Sequence, residues 1–499
     1  MAFFPRRRWI RTLKGNRNCQ LSGLGLALAL TLTLTLPRAA EGARRPPDWT
    51  ALADLVGRQL AAANVPAAAL VVVEGRQVPV LRAFGEATPQ TPFRVGSITK
   101  TFTALAALTT AHEKGVPLDT PLRQLIAPEL WRNRYATDAP VRLGQLLELA
   151  AGFRDLDRAE WDSASPIARR DAFRLAPASH VTLWQPGLAS SYSNLIPAYT
   201  AQTVEALTGK PFATVLAREV LAPLGMPGAT LEPRSDLPGG YKADGATPIP
   251  YWHMAYPAFG ALNVSTDEFA EFLLRLVNDD LPAPIAKARD ARGVALYEAN
   301  ATSAAQAGLR IGYGVGMYSE IRQGRVFFGH GGDADGYRSR YAVLPEAERA
   351  YYLVINVDNP GLLTRLSNQI ERMLTHGLPK IRAERVPLDE EARGALLAAY
   401  GRTYYPATRR FAGAEWHNCQ AGTAELYLHQ DRLTWRNAAG RKIRLTHSGD
   451  GLFRRSNDPV PTLAFVERLG KRYLLGELGN WRRLEPGQDC RGRLIAAAE

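Results

Sequence analysis

The spacing of apolar residues predicts helices and strands in a definite order along the first part of the chain. Apolar residues recur on one side of residues 50–63, which predicts a helix. Two β-branched runs at 67–73 and 78–84, separated by a polar turn that contains Gly75, predict a β-hairpin. Residues 99–114 repeat apolar positions at helical spacing, so a second helix follows the hairpin.

The middle of the chain changes period and then returns to strands. Residues 140–235 have a mostly helical pattern, and short β-like runs reappear near 326–328, 340–344 and 351–357, before a helix at 362–375. Strands at both ends of a helical stretch favour an antiparallel sheet whose two sequence-distant parts pair around a helical insertion. A doubly wound parallel sheet would alternate strands and helices more regularly. The fold class predicted is therefore α+β.

After Pro379 the pattern becomes one of short, evenly spaced strands. A short helix at 389–399 precedes them, and turn residues separate them, which is typical of a small antiparallel barrel or sandwich. The strands are predicted at 424–428, 432–436, 442–445, 463–468 and 472–477. The domains predicted are an N-terminal segment at 1–42, a main domain at 50–380 and a C-terminal β-barrel at 385–499.

Residues 1–42 have the three parts of an export signal. A basic start precedes an apolar run from Leu21 to Leu36, and small residues follow around Ala39. We therefore expect an exported protein, periplasmic or secreted. Arg38 and Glu41 interrupt the small residues, so an uncleaved N-terminal anchor stays open as the alternative.

The positive charge does not indicate nucleic-acid binding. The chain has 499 residues and a net charge of +13, of which +6 lies in residues 1–42. The rest is spread over a long chain with both signs interspersed, which favours a solvated surface; association with anionic cell-wall polymer or a membrane surface stays open. The eight histidines are scattered, so no metal is expected, and no glycine motif for phosphate or dinucleotide predicts a cofactor.

Three cysteines are present, and two of them predict a disulfide. Cys19 precedes the apolar run, while Cys419 and Cys490 are both late in the chain. In an exported protein such a pair favours one bridge, Cys419–Cys490, and two unpaired thiols are the alternative.

Ser97-Ile98-Thr99-Lys100 is the first candidate for chemistry. At the opening of a helix, this spacing places Ser97 and Lys100 one turn apart on the same face. A lysine among apolar neighbours loses hydration, so its pKa falls and it can take the serine proton. The structural alternative is a capping serine beside a solvated lysine.

Two further motifs contain residues suited to the same reaction. In Tyr192-Ser193-Asn194, the phenol of Tyr192 could relay a proton and Asn194 could orient the lysine or bind a substrate amide. In the run from Gly329 to Asp333, the glycines at a strand edge admit a substrate backbone and leave an N–H for an oxyanion hole. Alone, each motif could equally be a loop or a glycine turn.

Taken in order, Ser97/Lys100, Tyr192/Asn194 and His330/Gly332 resemble the three motifs of the class C β-lactamase and penicillin-binding-protein family of serine hydrolases. The resemblance covers about residues 50–375. It implies an antiparallel sheet flanked by helices, beside an all-helical subdomain, with Ser97, Lys100 and Tyr192 catalytic. It also implies supporting roles for Asn194, His330, Gly331 and Gly332, an oxyanion hole of the backbone N–H groups of Ser97 and Asp333, and an appended lipocalin-like barrel.

Two departures from the family pattern bear on the substrate. His330-Gly331-Gly332 stands where β-lactamases and D-Ala-D-Ala peptidases of this family usually have Lys-Thr-Gly, and Leu149-Ala150-Ala151-Gly152 stands where the family often has His-Thr-Ser-Gly. A histidine titrating near neutral pH offers a substrate carboxylate little charge. We therefore expect weak turnover of β-lactams and better turnover of short esters or uncharged-ended amides, unless Arg338 or Arg340 restores the charge.

The function predicted is hydrolysis of an ester or amide bond in a small-molecule or peptide substrate through a Ser97 acyl-enzyme. The alternatives are a catalytically silent cell-wall-binding or sensing protein on the same scaffold, and a strict β-lactamase or D-Ala-D-Ala carboxypeptidase. The presence of Ser97, Lys100 and Tyr192 together argues against a silent protein.

Overall fold

The main sheet is built around strand β1, Ala67–Glu74, whose side chains are buried along nearly its whole length. Val71 and Val73 face one hydrophobic core, whereas Leu70 and Val72 face a second core on the other side of the sheet. This is the two-residue period of a strand. A continuous apolar run is the pattern expected when both faces of a sheet are covered.

The structure is a computed structural model, and it describes residues 46–383, 385–408, 410, 422–485 and 488. The helices are α1 Trp49–Ala62, α2 Thr99–Glu113, α3 Leu143–Leu147, α4 Arg169–Ala172, α5 Ile196–Thr208, α6 Phe212–Val215, α7 Thr266–Val277, α8 Ala283–Arg292, α9 Ser303–Gln306, α10 Pro360–Leu374 and α11 Glu390–Tyr400. The remaining strands before the barrel are β2 Gln77–Gly85, β3 Pro92–Arg94, β4 Asp162–Ser163, β5 Gly240–Lys242, β6 Pro248–Ile249, β7 His253–Met254, β8 Asn263–Ser265, β9 Tyr318–Arg322, β10 Arg325–Ala334, β11 Tyr337–Leu344, β12 Arg349–Ile355 and β13 Val357–Asp358.

The order of the main sheet joins the two ends of the main domain, residues 50–380. Its strands run β2-β1-β12-β11-β10-β9, all antiparallel, and β1 pairs with β12 so that Ala68 lies opposite Ile355. Helices α1 and α10 cover one face, and α2 and α7 lie on the other. The predicted α+β fold, an antiparallel sheet assembled from sequence-distant strands and flanked by helices, is confirmed.

The helical interpretation of residues 140–235 holds only in part. Helices α3, α4, α5 and α6 fall in this range, and a π-helical turn at Leu216–Leu221 continues α6. Between α3 and α5 the chain is mostly irregular. It is held instead by backbone hydrogen bonds such as those from Gly187 N to the Ala150 carbonyl, 2.8 Å, and from Ser191 N to the Leu149 carbonyl, 3.0 Å.

A closed antiparallel barrel follows helix α11. Neighbours in the chain are neighbours in the barrel, and the last strand closes it against the first. The predicted strands are present, together with three that the sequence pattern did not predict, at 402–406, 452–455 and 481–483. The strands are β14 Arg402–Pro406, β15 Ala424–His429, β16 Arg432–Arg436, β17 Lys442–Gly449, β18 Leu452–Arg455, β19 Leu463–Arg468, β20 Lys471–Gly476 and β21 Trp481–Arg483.

Two barrel strands, β19 and β20, are apolar on both faces. On β19, Leu463 and Phe465 belong to the barrel core, whereas Ala464 and Val466 pack outward against Leu188 and neighbouring residues of the main domain. This contact explains the unbroken apolar pattern of the strand, because a barrel strand with a solvated outer face would alternate.

Arg468, at the end of β19, adds hydrogen bonds across the same contact. It donates to the Gly187 carbonyl at 2.7 Å, to the Pro186 carbonyl at 3.1 Å and to Oγ of Ser303 at 2.6 Å. The barrel is therefore attached beside the loop that leads to Tyr192.

Residues 1–42 and both Cys419 and Cys490 lie outside the described residues, so the export segment and the disulfide stay predictions. Within the described part of the chain, no helix has the length and apolar character needed to cross a membrane.

Candidate active site

Ser97 lies in a tight turn that leads directly into helix α2. The turn is a short 3₁₀ helix, Gly96–Ile98, and Gly96 has a φ of +55°, a conformation that glycine adopts without strain. Oγ1 of Thr99 donates to the Gly96 carbonyl at 2.6 Å and accepts from Leu262 N at 3.1 Å. These bonds fix the turn, so Ser97 is presented at the N-terminal end of α2.

Lys100 comes one helical turn after Ser97, and the two side chains meet. Its Nζ lies 3.0 Å from Oγ of Ser97, and it donates to the Phe259 carbonyl at 2.8 Å. The side chain is 2% exposed. Burial lowers the pKa of Lys100 well below its usual value; the charge of Asp155 acts in the opposite direction and that of Arg410 in the same one. A neutral amine at hydrogen-bonding distance is suited to accept the serine proton.

The ring of Tyr192 lies beside this pair. Its centroid is 4.9 Å from Nζ of Lys100. Burial raises the pKa of Tyr192, and a hydrogen bond with Ser97 lowers it by less. Near neutral pH the side chain is therefore a phenol that can pass a proton rather than a phenolate that holds one.

Asn194 was expected to orient Lys100 or bind a substrate amide, but the hydrogen bonds described for it lead to Asp155. It is buried, and its backbone N and its Nδ2 donate to the carboxylate of Asp155 at 2.7 and 3.2 Å. Oγ of Ser193 donates to the Arg154 carbonyl at 2.8 Å. The bonds described for Asn194 thus lead to Asp155, so its contribution here is to hold the Tyr192 loop against residues 154–155.

The segment Leu149–Gly152, which departs from the family pattern, supports the loop that contains Tyr192. Leu149 has a φ of +49°, and its carbonyl accepts from Ser191 N, directly before Tyr192. A Cβ on Gly152 would overlap the Trp184 carbonyl. The segment therefore acts through its backbone, by fixing where the Tyr192 loop begins.

His330 lies on strand β10 and is almost completely buried. Its Nδ1 donates to the Gly331 carbonyl at 2.6 Å, and its Nε2 accepts from the hydroxyl of Tyr313 at 2.9 Å. Burial is the main cause, with the charge of Lys100 acting in the same direction, and together they lower the pKa of His330 to about 3. The sequence interpretation took this histidine to titrate near neutral pH, and the structure differs because the ring is excluded from water.

The glycines after His330 allow β10 to approach the turn that contains Ser97. A Cβ on Gly332 would overlap the carbonyl oxygen of Val95 and Oγ of Ser339, and a Cβ on Gly96 would lie 2.5 Å from the backbone N of Asp333. Glycine is needed at both positions for this approach.

The register of the sheet leaves the backbone N–H of Asp333 pointing away from β11, on a part of β10 that approaches Gly96. Strand β9 pairs with β10 only as far as Gly329, and Asp333 lies opposite Arg338 in the hairpin with β11. In a hairpin closed by Ala334 and Tyr337, Asp333 is at a position whose N–H points away from β11. With the N–H of Ser97, this geometry is suited to an oxyanion hole.

Arg338 and Arg340, the two residues considered as sources of positive charge, are both paired with carboxylates. Arg338 forms ion pairs with Asp333 and Asp358, and Arg340 with Glu320 and Glu371. Their charges are therefore compensated by these four carboxylates.

Four residues of the site carried no motif in the sequence. Tyr313 and Tyr318 surround His330, and the hydroxyl of Tyr318 accepts from Gly331 N at 2.9 Å. Asp155 is fully buried beside Asn194, and Nε of Arg410 lies 2.8 Å from its Oδ2. Asp155 lies three residues after Gly152, so the segment singled out in the sequence ends close to it. Nothing in the sequence links Asp155 to Arg410. Among the described residues, no group of three His, Cys, Asp or Glu side chains could hold a metal ion.

Comparison with known proteins identifies the scaffold. Protein flp of Staphylococcus aureus (strain MRSA252) is 20% identical over 336 residues, which are 63% of this chain; the chain spans 65% of the length of that relative. The octameric penicillin-binding protein homologue from Pyrococcus abyssi is 20% identical with a TM-score of 0.54 and covers 87% of this chain and 100% of its own.

Other solved structures agree with this assignment of the fold. The β-lactamase/D-alanine carboxypeptidase from Yersinia pestis is 21% identical with a TM-score of 0.52, over 65% of this chain and 99% of its own. SurE with D-Leu is 22% identical with a TM-score of 0.52, over 87% and 99%. The profile of the family described as Beta-lactamase matches residues 52–370, more than half of the chain. The chain therefore belongs to the β-lactamase family, whose members include penicillin-binding-protein-like serine hydrolases.

Proposed function

We propose that the protein hydrolyses an ester or amide bond through an acyl-enzyme on Ser97. The observation that carries this proposal is the 3.0 Å approach of Lys100 Nζ to Ser97 Oγ, with the lysine buried and its pKa lowered. Lys100 takes the serine proton as Oγ attacks the carbonyl carbon, and the N–H groups of Ser97 and Asp333 stabilise the oxyanion. Tyr192 relays this proton to the leaving group as the scissile bond breaks, which leaves the acyl group on Ser97. The Lys100–Tyr192 pair then takes a proton from water as the water attacks the acyl carbon, and that proton returns to Oγ of Ser97 when the acid product leaves.

The same geometry argues for an uncharged or weakly charged acyl substrate. His330 is neutral above about pH 3, and Arg338 and Arg340 are compensated, so none of the three offers a substrate carboxylate a fixed charge. We expect short activated esters and uncharged-ended amides to react faster than penicillins and cephalosporins. The Yersinia pestis neighbour, described as a β-lactamase/D-alanine carboxypeptidase, makes a D-Ala-D-Ala peptide the comparison substrate.

The first test is covalent labelling. The protein is incubated with a fluorophosphonate and, separately, with a fluorescent penicillin, and the labelled residue is located by mass spectrometry. We expect the fluorophosphonate on Ser97 and no label in a folded Ser97→Ala protein. Labelling that persists in Ser97→Ala would contradict the mechanism, and a wild-type protein that takes neither label would favour a silent binding or sensing protein.

The second test concerns the substrate class. The kcat/KM values for nitrocefin, p-nitrophenyl butyrate and a D-Ala-D-Ala peptide are measured on wild type and on His330→Lys. We expect the wild type to prefer the ester, and the lysine variant to gain on the two substrates that bear a carboxylate. A strong wild-type preference for nitrocefin would identify a β-lactamase in the strict sense.

We also propose that the protein acts outside the cytoplasm, as a periplasmic or secreted enzyme, on the basis of the basic start and apolar run of residues 1–42. Fractionation of cells that express the full chain, with mass spectrometry of the N-terminus, tests this. A cytoplasmic protein with an intact N-terminus would refute it, and an intact N-terminus in the membrane fraction would indicate the anchored form.

A further inference from the structure

One residue beyond the first barrel strand reaches the catalytic machinery. Arg410 follows β14, and its Nε lies 2.8 Å from Oδ2 of Asp155. The carbonyl of Arg410 accepts from Asp155 N at 2.7 Å. The guanidinium carbon is 4.7 Å from the centroid of the Tyr192 ring. Side chain and backbone of one residue thus contact both Asp155 and the tyrosine beside Lys100.

Asp155 is a buried carboxylate that needs compensation. It is 0% exposed, and it accepts from Leu156 N at 2.8 Å as well as from the backbone and side chain of Asn194. Those donors are neutral, and burial of an ionised carboxylate is costly unless a cation is near. Arg410, whose side chain is 41% exposed, supplies that cation from the barrel side of the molecule.

Both charges act on Lys100, and they act in opposite directions. Asp155 raises the pKa of the lysine and Arg410 lowers it. Among the described residues, the other titratable groups beside Lys100 are Tyr192, a phenol at neutral pH, and His330, a neutral imidazole above about pH 3. Burial causes most of the lowering of the Lys100 pKa, and the balance between Asp155 and Arg410 adjusts how much of the base is deprotonated at a given pH.

We propose that Arg410 is a positioning residue through which the C-terminal barrel sets the proton affinity of Lys100, by compensating the buried charge of Asp155. This inference rests on the proposed function, because it takes Lys100 to be the base that activates Ser97. In this arrangement the barrel contributes to the reaction without contacting the substrate. Loss of the Arg410–Asp155 contact leaves a negative charge beside the lysine and holds it in its protonated, inactive form.

The experiment is the pH dependence of the rate at which fluorophosphonate labels Ser97. The low-pH limb of that profile reports the pKa of the base in the free enzyme. Arg410→Gln should move the limb to higher pH by about one unit, the size expected for a unit charge several ångströms away. Asp155→Asn should move it to lower pH. The double variant should return close to wild type, and Arg410→Lys should keep most of the wild-type position.

Arg468→Ala is the matched control. Arg468 also ties the barrel to the main domain, at Pro186, Gly187 and Ser303, but the bonds described for it include none to Asp155 or Tyr192. Its limb should stay at the wild-type pH even if its melting temperature falls. An unmoved limb in Arg410→Gln, or equal shifts in Arg410→Gln and Arg468→Ala, would overturn the inference. If Asp155→Asn does not fold, the three arginine variants still decide. A wild-type protein that is not labelled at Ser97 refutes the proposed function instead.

Discussion

Lys100 and His330 are two buried basic side chains of the site. Burial lowers the pKa of both, but it leaves only the lysine able to accept a proton from Ser97 at neutral pH. Lys100 belongs to what we call the helix wall, residues 96–100, and His330 to the sheet wall, residues 329–333. Both are 2% exposed, and burial lowers the pKa of both. Lys100 lies against the serine hydroxyl, whereas His330 is bonded to a backbone carbonyl and to Tyr313.

The comparison shows that desolvation alone does not make a catalytic base. A lysine begins from a pKa far above neutral, so lowering it produces a usable acceptor. A histidine begins near 6.5, and lowering its pKa removes it from titration at working pH. The helix wall is therefore predicted to carry the proton transfer and the sheet wall to provide a fixed, uncharged surface. The predictions below test this division.

Lys100→Ala should have the largest effect after loss of the nucleophile itself. Removing the general base should slow acylation by ~10²–10⁴-fold. Pre-steady-state acylation rates with p-nitrophenyl butyrate measure this. Lys114→Ala, at the exposed C-terminal end of the same helix, is the control and should acylate as wild type does. Near-normal acylation of Lys100→Ala would mean that another residue is the general base.

Tyr192→Phe should also slow acylation, by about 10²-fold or more, because the phenol is the relay next to Ser97. If Tyr192 and Lys100 act as a unit, the double variant should lose little more than Lys100→Ala alone. Tyr135→Phe, which removes a hydroxyl bonded to the Leu183 carbonyl, is the control. Fully multiplicative losses would mean that the two groups act independently.

Gly332→Ala tests the contact between the two walls. Because the new Cβ would overlap Val95 and Ser339, β10 must shift and the N–H of Asp333 moves with it. A displacement of about 1 Å at a reacting centre can cost ~10²-fold in rate. The kcat value for the ester measures the loss. Gly361→Ala at the start of α10 is the control, because its Cβ would have ordinary van der Waals contacts at 3.6 Å. An unchanged kcat would mean that the backbone N–H of Asp333 is not part of the oxyanion hole.

His330→Gln should change the pH dependence of stability more than activity toward esters. The folded protein keeps His330 neutral down to about pH 3, whereas the unfolded chain binds a proton below about pH 6.5. The stability due to the neutral ring is thus complete above pH 6.5 and is lost as pH falls toward 3.

Relative to His330→Gln, the wild type should therefore lose up to about 1.4 kcal/mol per pH unit between about pH 6 and 4. Urea unfolding at several pH values measures it, with the exposed His112→Gln as the control for one imidazole. Parallel stability curves for wild type and His330→Gln would place a charge on His330 in the folded protein.

The sequence predicted the features that depend on local pattern. Strand β1 could be recognised because its side chains are apolar from Ala67 to Val73, and Ser97 and Lys100 are coupled by helical spacing alone. The predicted α2 helix differs from the observed one by a single residue at its C-terminal end.

Features that depend on distant contacts were not predictable in the same way. The irregular chain between α3 and α5 is stabilised by carbonyls such as that of Leu149, and these bonds leave no periodicity. Asp155 and Arg410 are joined only by the fold, and the low pKa of His330 depends on burial that a motif does not reveal. Barrel strands β18 and β21 are too short to give an alternating pattern.

The pairing of β1 with β12 has a consequence for how the chain folds as it is synthesised. Val71 lies opposite Tyr352, so one edge of β1 has no partner until the chain has been synthesised as far as Ile355. At ~5–20 residues per second this interval is on the order of tens of seconds. During it, the hairpin of β1 and β2 presents an unpaired apolar edge, the kind that associates with other chains. Completion of the sheet is thus a late event, and we expect the yield of folded protein to fall when that edge meets other nascent chains.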